Sequence, residues 1–304
     1  MNSRVLFMGG FLQKSEIKKA NLDDIRLNKV NVNQKYFRPS CLSALNSRIF
    51  PFAFFDPYYE KDVSEIHLPQ NLMTSPKNAI LNYFSVLREA AIFTEGKTGG
   101  CGTVGMATIP YPVAYQFLTE DYQKRVTYHD FLHSFQNIGH INLIKLKRVN
   151  SVSNSQNSWR FFVEVETIEG AGKDVTYFAY YYGFITVKQE NNRFKIDDMV
   201  FNGEDFLCAA YHGWSHDAEA VVDIKYGEWC KLVRRRHPTY KQGYIKYIYF
   251  YGTDGHNYLF VFFELTNGTD IEIAQYKQGI SGEWVLIKIN PNKCIERNNL
   301  SSEK

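Results

Sequence analysis

The feature that most constrains this chain is a set of three glycine-containing turns near its C-terminal end. They are Asp254-Gly255, Asn267-Gly268 and Ser281-Gly282. Each separates two segments in which apolar residues recur at every second position, and such dipeptides favour the tight turn between antiparallel strands. The pattern predicts a four-stranded antiparallel meander, with strands at residues 244–251, 258–266, 271–276 and 284–289.

A second group of strands is predicted earlier in the chain, where the period of two also occurs. Residues 175–189 form the longest of these segments, and Asn191-Asn192 is a typical turn after it. Aromatic side chains alternate onto both faces of this strand. The four strands of the group are predicted at residues 140–149, 159–168, 175–189 and 193–201.

Helical patterns precede the earlier group of strands. Ser75 is a typical N-cap and Pro76 suits the first helical position, so a helix is expected to begin there. Two shorter helices are predicted at residues 113–122 and 127–136. This unit therefore has three helices followed by a sheet.

A further helix is predicted before the C-terminal meander. Ser215 is its expected N-cap, and Arg234, Arg235 and Arg236 are expected near its end, where cations suit the helix dipole. The fold class predicted for the whole chain is α+β. Helices pack on curved antiparallel sheets in two tandem units.

Three regions are predicted along the chain. Residues 1–74 are expected to form an extended N-terminal arm, because the prolines and aromatic residues at 50–59 suit a segment that lies on another surface. Residues 75–205 form the larger helix-plus-sheet domain. Residues 206–304 form a smaller domain, with one helix and the four-stranded meander.

Charge and hydropathy limit the expected partners. The 304 residues include 35 Lys and Arg against 32 Asp and Glu, a net charge of +3. This excess is small for a nucleic-acid-binding protein, so nucleic acid is not the expected partner. No apolar run reaches the roughly 18 residues of a membrane-spanning helix. No cofactor is expected, and a cytoplasmic location is predicted, with secretion as the alternative.

The five cysteines are scattered along the sequence, and no two of them form a Cys-x-x-Cys pair. This spacing predicts neither a zinc ribbon nor a thioredoxin-type motif. The expectation is that the thiols are reduced and mostly buried, without a disulfide framework.

The element order of residues 75–205 resembles that of the NTF2-like superfamily, within the wider cystatin-like architecture. The resemblance depends on the helix capped at Ser75-Pro76, the helix through residues 128–133 and the aromatic strand at 177–187. It implies a cone, in which a curved sheet wraps around helices and leaves a pocket at the wide end. The superfamily includes isomerases, hydrolases, transport factors and non-catalytic binding modules. Many proteins of this shape dimerise through the sheet, so the resemblance leaves a homodimer as one option, and the sequence does not decide the oligomeric state.

The leading hypothesis for function is a non-catalytic ligand-binding or protein-interaction module. The residues predicted to contact ligand in the cone are Tyr115, His133, Tyr180 and Tyr182. Tyrosine hydroxyls on an otherwise apolar wall suit a small amphipathic ligand or a peptide. The alternative occupant is a protein partner on an exposed sheet face.

The alternative function is a small-molecule isomerase or hydrolase that uses the same cone-shaped pocket. Its base would be His133 or Asp197, which requires one of them to lie in a closed pocket with a shifted pKa. Glu164 and Glu166 are nearby carboxylates, but they are expected to lie on a solvated strand face.

Two pairs of histidines have the i, i+4 spacing that can bind a metal ion. On a helix, His129 and His133 would share one face, but two nitrogens do not complete a four-coordinate site. The expected cap at Ser215 places His212 and His216 on opposite sides of a helix start. No metal site is therefore predicted.

Overall fold

The structure is a computed structural model that describes residues 5–13, 38, 42–97, 105–150, 157–171, 175–209 and 212–302. It shows a mixed α+β fold with two six-stranded sheets and few helices. The chain divides into two compact units. The first contains the described residues up to Glu204 except Arg38, and the second contains Arg38 and the described residues from Asp205 onward.

The sheet of the first unit has the strand order β1-β2-β6-β5-β4-β3. Its strands are β1 (Val5–Phe7), β2 (Gly10–Leu12), β3 (Ile138–Val149), β4 (Ser158–Gly170), β5 (Thr176–Glu190) and β6 (Arg193–Gly203). Strands β2 and β6 are parallel, and the other neighbours are antiparallel. The four long strands agree with the sequence prediction.

The N-terminal region is more structured than the extended arm predicted for residues 1–74. Strands β1 and β2 form a hairpin through Met8 and Gly9, whose φ angles of 50° and 73° suit a tight two-residue turn. A short helix, α1 (Phe52–Phe55), follows, and Phe55 is buried in the core of the first unit. Ile66 and Leu68 of this region are also buried, since burial removes apolar side chains from water, whereas Ile49 and Phe52 are exposed. Residues 14–37 and 39–41 of the predicted arm lie outside the described residues.

Four more helices cover one face of the first sheet. They are α2 (Pro76–Leu87), α3 (Pro110–Tyr115), α4 (Glu120–Arg125) and α5 (Tyr128–His133). The predicted cap of α2 is confirmed, because Ser75 Oγ accepts a hydrogen bond from Asn78 N at 3.2 Å. The single helix predicted at 113–122 is instead two helices, since Thr119 caps a new helix there.

Large side chains fill the space between these helices and the sheet. Phe161, Val163 and Val165 of β4 point into this core, where Tyr83 and Phe117 are fully buried. The rings of Tyr83 and Phe117 pack edge to face, with centroids 6.3 Å apart. The interior of the first unit is therefore occupied by its own aromatic rings where it was expected to hold a pocket.

The opposite face of β4 is buried as well, which contradicts the solvated face expected for Glu164 and Glu166. Their exposed fractions are 0% and 4%. Glu164 Oε2 lies 2.8 Å from Lys145 Nζ, and Glu166 Oε1 accepts a hydrogen bond from Asn142 at 3.0 Å. Burial of a carboxylate is tolerable when a cation or a donor compensates it. Alternation in the sequence identified the face, but it does not show whether that face is covered.

The sheet of the second unit has the order β12-β11-β10-β9-β7, and β8 also pairs with β9. Its strands are β7 (Val233–Arg236), β8 (Tyr240–Gln242), β9 (Ile245–Gly252), β10 (Asn257–Glu264), β11 (Asp270–Gln278) and β12 (Trp284–Ile287). All pairings are antiparallel. The predicted four-stranded meander is thus present, with two additional short strands beside β9.

The helix predicted to begin at Ser215 differs in its cap, its form and its end. Asp217 is the cap, and it accepts a hydrogen bond from Ala220 N at 2.8 Å to begin α6 (Ala218–Val221). The helix continues as a π-helical segment, Val222–Trp229. The arginines predicted at its C-terminal end lie instead on β7, because the chain turns at Lys231, where φ is 53°.

The cysteine prediction is wrong for two of the five residues. Cys230, directly after the π-helical segment, forms a disulfide with Cys294 of the last helix, α7 (Pro291–Ser302). The sequence does not predict this bond, because the two cysteines are 64 positions apart and only the tertiary fold brings them together. Cys208 is a free thiol, and Cys41 and Cys101 lie outside the described residues. None of the helices in the described ranges combines the length and apolar character needed to cross a membrane.

Candidate functional site

Tyr115 and His133, two of the predicted ligand residues, lie on the helical side of the first sheet. Tyr115 is 7% exposed, and its hydroxyl donates to Val126 O at 2.8 Å. Its ring packs against Tyr128 and Phe131 in the core. His133 is exposed at the end of α5. Tyr115 is thus part of the internal packing.

Tyr180 and Tyr182, the other two, lie on the opposite face of β5. Ile185 and Val187, which alternate with them, pack into the helical core, so the two tyrosines point away from it. Tyr180 is 5% exposed. The structure therefore separates the four predicted residues onto two sides of one sheet.

The two candidate bases also lie apart. Asp197 accepts a hydrogen bond from Thr119 Oγ1 at 3.0 Å and lies 2.9 Å from Lys188 Nζ, so it links β6 to the cap of α4. His133 lines an open cleft of about 370 Å³ together with Asp130. A hydrogen bond from Thr127 lowers the pKa of Asp130; burial opposes this shift, and the nearby His129 and His133 add to it.

A different site is present on the second sheet, on the face away from its helices. Ile248 and Phe250 of β9 point into the second core, which also contains residues of α6 and the π-helical segment. Tyr249 alternates with them and points to the other face. There it lies next to Trp284 of the edge strand β12.

We name this site the Trp284 groove. It has a volume of about 380 Å³, and it is lined by His237, Tyr249, Asn257, Gln278 and Trp284. Phe250 and Tyr258, whose side chains are buried in the second core, also border it. The rings of Tyr249 and Trp284 are inclined at 61°, with centroids 6.0 Å apart. Trp284 is 38% exposed, so its ring is available for contact with a ligand.

Two fixed amides form the polar part of the groove. Asn257 Nδ2 donates to Gln278 Oε1 at 2.9 Å, and Gln278 Nε2 donates to Gly282 O at 3.1 Å. An amide has two N–H donors and a carbonyl acceptor, so each side chain retains further hydrogen-bonding capacity. The groove thus combines aromatic surface with oriented neutral polar groups.

Cations lie along one rim of the same sheet face. The guanidinium of Arg234 lies 5.9 Å from the centre of the Tyr251 ring, a cation–π contact. Arg235 is exposed and pairs with Tyr251 in the register of β7 and β9. This placement follows from the strand that replaces the expected helix end.

Sequence reasoning found the strands of the groove but not the groove itself. Tyr249 and Trp284 both lie on strands that the sequence predicted, at residues 244–251 and 284–289. Which tyrosine lies near Trp284 depends on the combined register of three strand pairs and on the direction in which the side chains lean, and a local pattern gives neither.

A separate cluster in the second unit has metal-ligand chemistry. Asp205, His212 and His216 each offer one ligand atom, and these atoms lie within 4.8 Å of one another. The two histidines therefore share a side, in contrast to the prediction. Burial lowers the pKa of His216, and His212 lowers it further while Asp205 opposes the shift.

Comparison with known proteins gives little further information. No protein-family model matches the sequence, and no curated protein matches it. A solved structure described as an NTF2-like protein involved in plasmid conjugation is 11% identical, over 57% of this chain and 90% of that one. The TM-score is 0.20, and at this value the likeness carries no argument.

Proposed function

We propose that this chain is a non-catalytic binding module, and that its ligand is a small amphipathic molecule held in the Trp284 groove. The observation that carries the proposal is the exposed ring of Trp284 against the half-buried ring of Tyr249, beside two fixed amides, Asn257 and Gln278. Aromatic walls with a few oriented polar groups are typical of small-molecule sites.

The lining indicates the class of ligand. The groove volume of about 380 Å³ lies in the range of small-molecule pockets, and among the residues that the structure describes no Asp, Glu, Lys or Arg lines it. Neutral amides pair well with hydroxyl or amide groups, and the arginines of the sheet face lie beside Tyr251, which is not among the lining residues. A ring with an apolar face and a neutral polar edge, such as a sugar unit, fits this chemistry.

Ligand-detected NMR with a panel of neutral oligosaccharides and nucleosides tests the proposal. We expect at least one compound to bind the unmodified protein and to lose binding in Trp284→Ala. The matched control is Trp214→Ala, since Trp214 is a similarly exposed tryptophan of the same unit, at 42%, outside the groove. The absence of binding from the whole panel, or equal binding to Trp284→Ala, would overturn the proposal.

The finer description of the fold is also a proposal. We infer that the two units are a tandem pair of cystatin-like, NTF2-like modules. Each unit packs helical segments against one face of a mainly antiparallel sheet, which supports this description. A protein partner and a homodimer through a sheet face remain predictions, as does the expectation that nucleic acid is not a partner.

The disulfide bears on the cellular compartment of the protein. Disulfides persist mainly where the environment is oxidising, as in secreted and extracytoplasmic proteins. The Cys230–Cys294 bond therefore favours the secreted alternative over the cytoplasmic location. Thiol alkylation of protein in freshly isolated cell fractions tests this: protection of both cysteines supports an oxidising location, and labelling of both opposes it.

The enzyme hypothesis stays a prediction with less support. Asp197 is held by Lys188 and Thr119, and His133 is exposed in an open cleft. Neither arrangement encloses a substrate, and exclusion of water is a common part of general base catalysis.

A further inference from the structure

The strongest unassigned group of side chains is the cluster of Asp205, His212 and His216 in the second unit. His212 Nδ1 lies 3.9 Å from Asp205 Oδ2, and the two imidazole rings have centroids 4.7 Å apart. Both histidines are partly buried, and Asp205 is exposed. The cluster is thus accessible to an ion from solvent.

Local backbone geometry brings the two histidines together. Gly213 has a φ of 90°, a conformation that favours glycine, and the 3₁₀ turn Trp214–His216 follows it. Because α6 is capped by Asp217, His216 lies before the helix and not on it. The left-handed residue and the tight turn therefore place both rings on one side.

Hydrogen bonds fix the segment that contributes Asp205. Asn267, which is 2% exposed, donates from Nδ2 to Asp205 O at 3.0 Å and accepts at its own backbone carbonyl from Ala209 N at 2.7 Å. Arg38 Nη2 also donates to Asp205 O at 2.8 Å. These hydrogen bonds hold the backbone of Asp205 in place, while its carboxylate remains at the surface.

Each histidine has a protein oxygen next to one ring nitrogen. Leu207 O lies 3.1 Å from His212 Nε2, and Thr269 Oγ1 lies 3.1 Å from His216 Nδ1. Metal-binding histidines typically donate their second N–H to such an oxygen, which fixes the tautomer and the ring. Here these two contacts would leave Nδ1 of His212 and Nε2 of His216 as the ligand atoms.

We propose that Asp205, His212 and His216 bind a divalent transition metal ion, with zinc as the ion this ligand set suits best. Two imidazoles and one carboxylate are a known ligand set for zinc sites that keep a fourth position open for water. Imidazole disfavours magnesium and calcium, which prefer oxygen ligands.

The side chains need only a small movement to close on an ion. Zinc bonds of about 2.0 to 2.2 Å in a tetrahedral site put ligand atoms roughly 3.4 Å apart. The atoms of the cluster already lie within 4.8 Å of one another. Asp205 is exposed, so its side chain is free of the packing that would oppose such a movement.

A simple ion pair is the competing explanation, because a protonated His212 would attract Asp205 without any metal. The test therefore measures metal binding directly. Untagged protein with its disulfide intact is freed of metal by a chelator and titrated with Zn²⁺ in competition with a chromogenic chelator, and separately with Co²⁺ for its visible absorption.

We expect one ion per chain and a visible Co²⁺ band that Zn²⁺ removes. The double variant His212→Ala/His216→Ala should weaken Zn²⁺ affinity by more than about 100-fold. Loss of a residue that only hydrogen-bonds a metal ligand already costs about 10- to 100-fold. The matched control is His67→Ala/His256→Ala, which removes two histidines that lie outside the cluster and should retain binding.

Asp205→Asn is the second variant, because the backbone of this exposed residue keeps its hydrogen bonds to Asn267 and Arg38. It should fold normally and bind Zn²⁺ at least 10-fold more weakly. Absence of binding by the unmodified protein, or unchanged affinity in both the double variant and Asp205→Asn, would overturn the metal site and leave an ion pair only.

Discussion

The rings of Tyr249 and Trp284 meet across two intervening strands. Their centroids are 6.0 Å apart, although β10 and β11 lie between β9 and β12. Three strand spacings correspond to roughly 14 Å, so both side chains must lean over the sheet towards each other. Leu259 of β10 lies on the same face and is 8% exposed. The ring contact therefore forms part of the groove and also covers the sheet.

This contact predicts a measurable coupling. A double-mutant cycle with Tyr249→Ala and Trp284→Ala should give a coupling of about 0.5 to 1.5 kcal/mol in the free energy of unfolding, as expected for an aromatic pair. Urea unfolding monitored by circular dichroism provides the four stabilities. A coupling near zero would mean that the rings do not interact in solution.

The disulfide should make a large contribution to the stability of the second unit. Cys230 and Cys294 are 64 positions apart, and the chain-entropy estimate for a closed loop of this size is roughly 4 kcal/mol. Cys230→Ser/Cys294→Ser should lower the free energy of unfolding by about that amount. Cys208→Ser, at the free thiol, is the control and should have little effect.

The buried ion pair of the first sheet should be sensitive to loss of its cation. Lys145→Ala leaves the carboxylate of Glu164 buried and should cost about 3 to 5 kcal/mol. Lys124→Ala removes an exposed pair with Asp121 and should cost less than about 1 kcal/mol. Equal effects in chemical unfolding would show that the environment of Glu164 is solvated.

Stability should fall at alkaline pH. Burial raises the pKa of Tyr128 to about 12, and burial together with Glu169 raises the pKa of Tyr177 to about 12, from an ordinary value of 10.0. A raised pKa means that folding favours the neutral phenol. Its contribution is complete below pH 10 and is lost as the pH approaches 12.

Tyrosinate absorbance and circular dichroism, followed across this pH range, check the prediction. The Tyr128→Phe variant cannot ionise at that position, and its stability should depend less steeply on pH above 10. An equally steep loss of stability above pH 10 in Tyr128→Phe and in the unmodified protein would contradict the prediction for Tyr128.

The sequence predicted those parts of the fold that are specified by short-range chemistry. The turn at Asp254-Gly255 and the cap at Ser75 each act within a few residues, so their strands and helix were found. The helix after Asp217 was described incorrectly, because neither its π-helical form nor its end before the turn at Lys231 is marked by a capping or turn residue of the usual kind.

The candidate sites were less predictable for the same reason. His212 and His216 share a side because of the positive φ of Gly213, and a helical wheel cannot represent such a turn. Trp284 and Tyr249 are separated by three turns of the meander, so only the strand order of the complete sheet brings them together. Local periodicity gives the face of a residue but not its neighbours across the sheet.

The Cys230–Cys294 bond also decides how the second unit would respond to mechanical tension. All six strands of its sheet lie between the two cysteines in the chain. A force that pulls on the two ends of the protein would pass through the sulfur–sulfur bond from Cys230 to Cys294. The strands between the two cysteines, and the groove on them, would bear no load. The first unit would stretch instead, and chemical reduction would transfer the tension to the strands that hold Trp284.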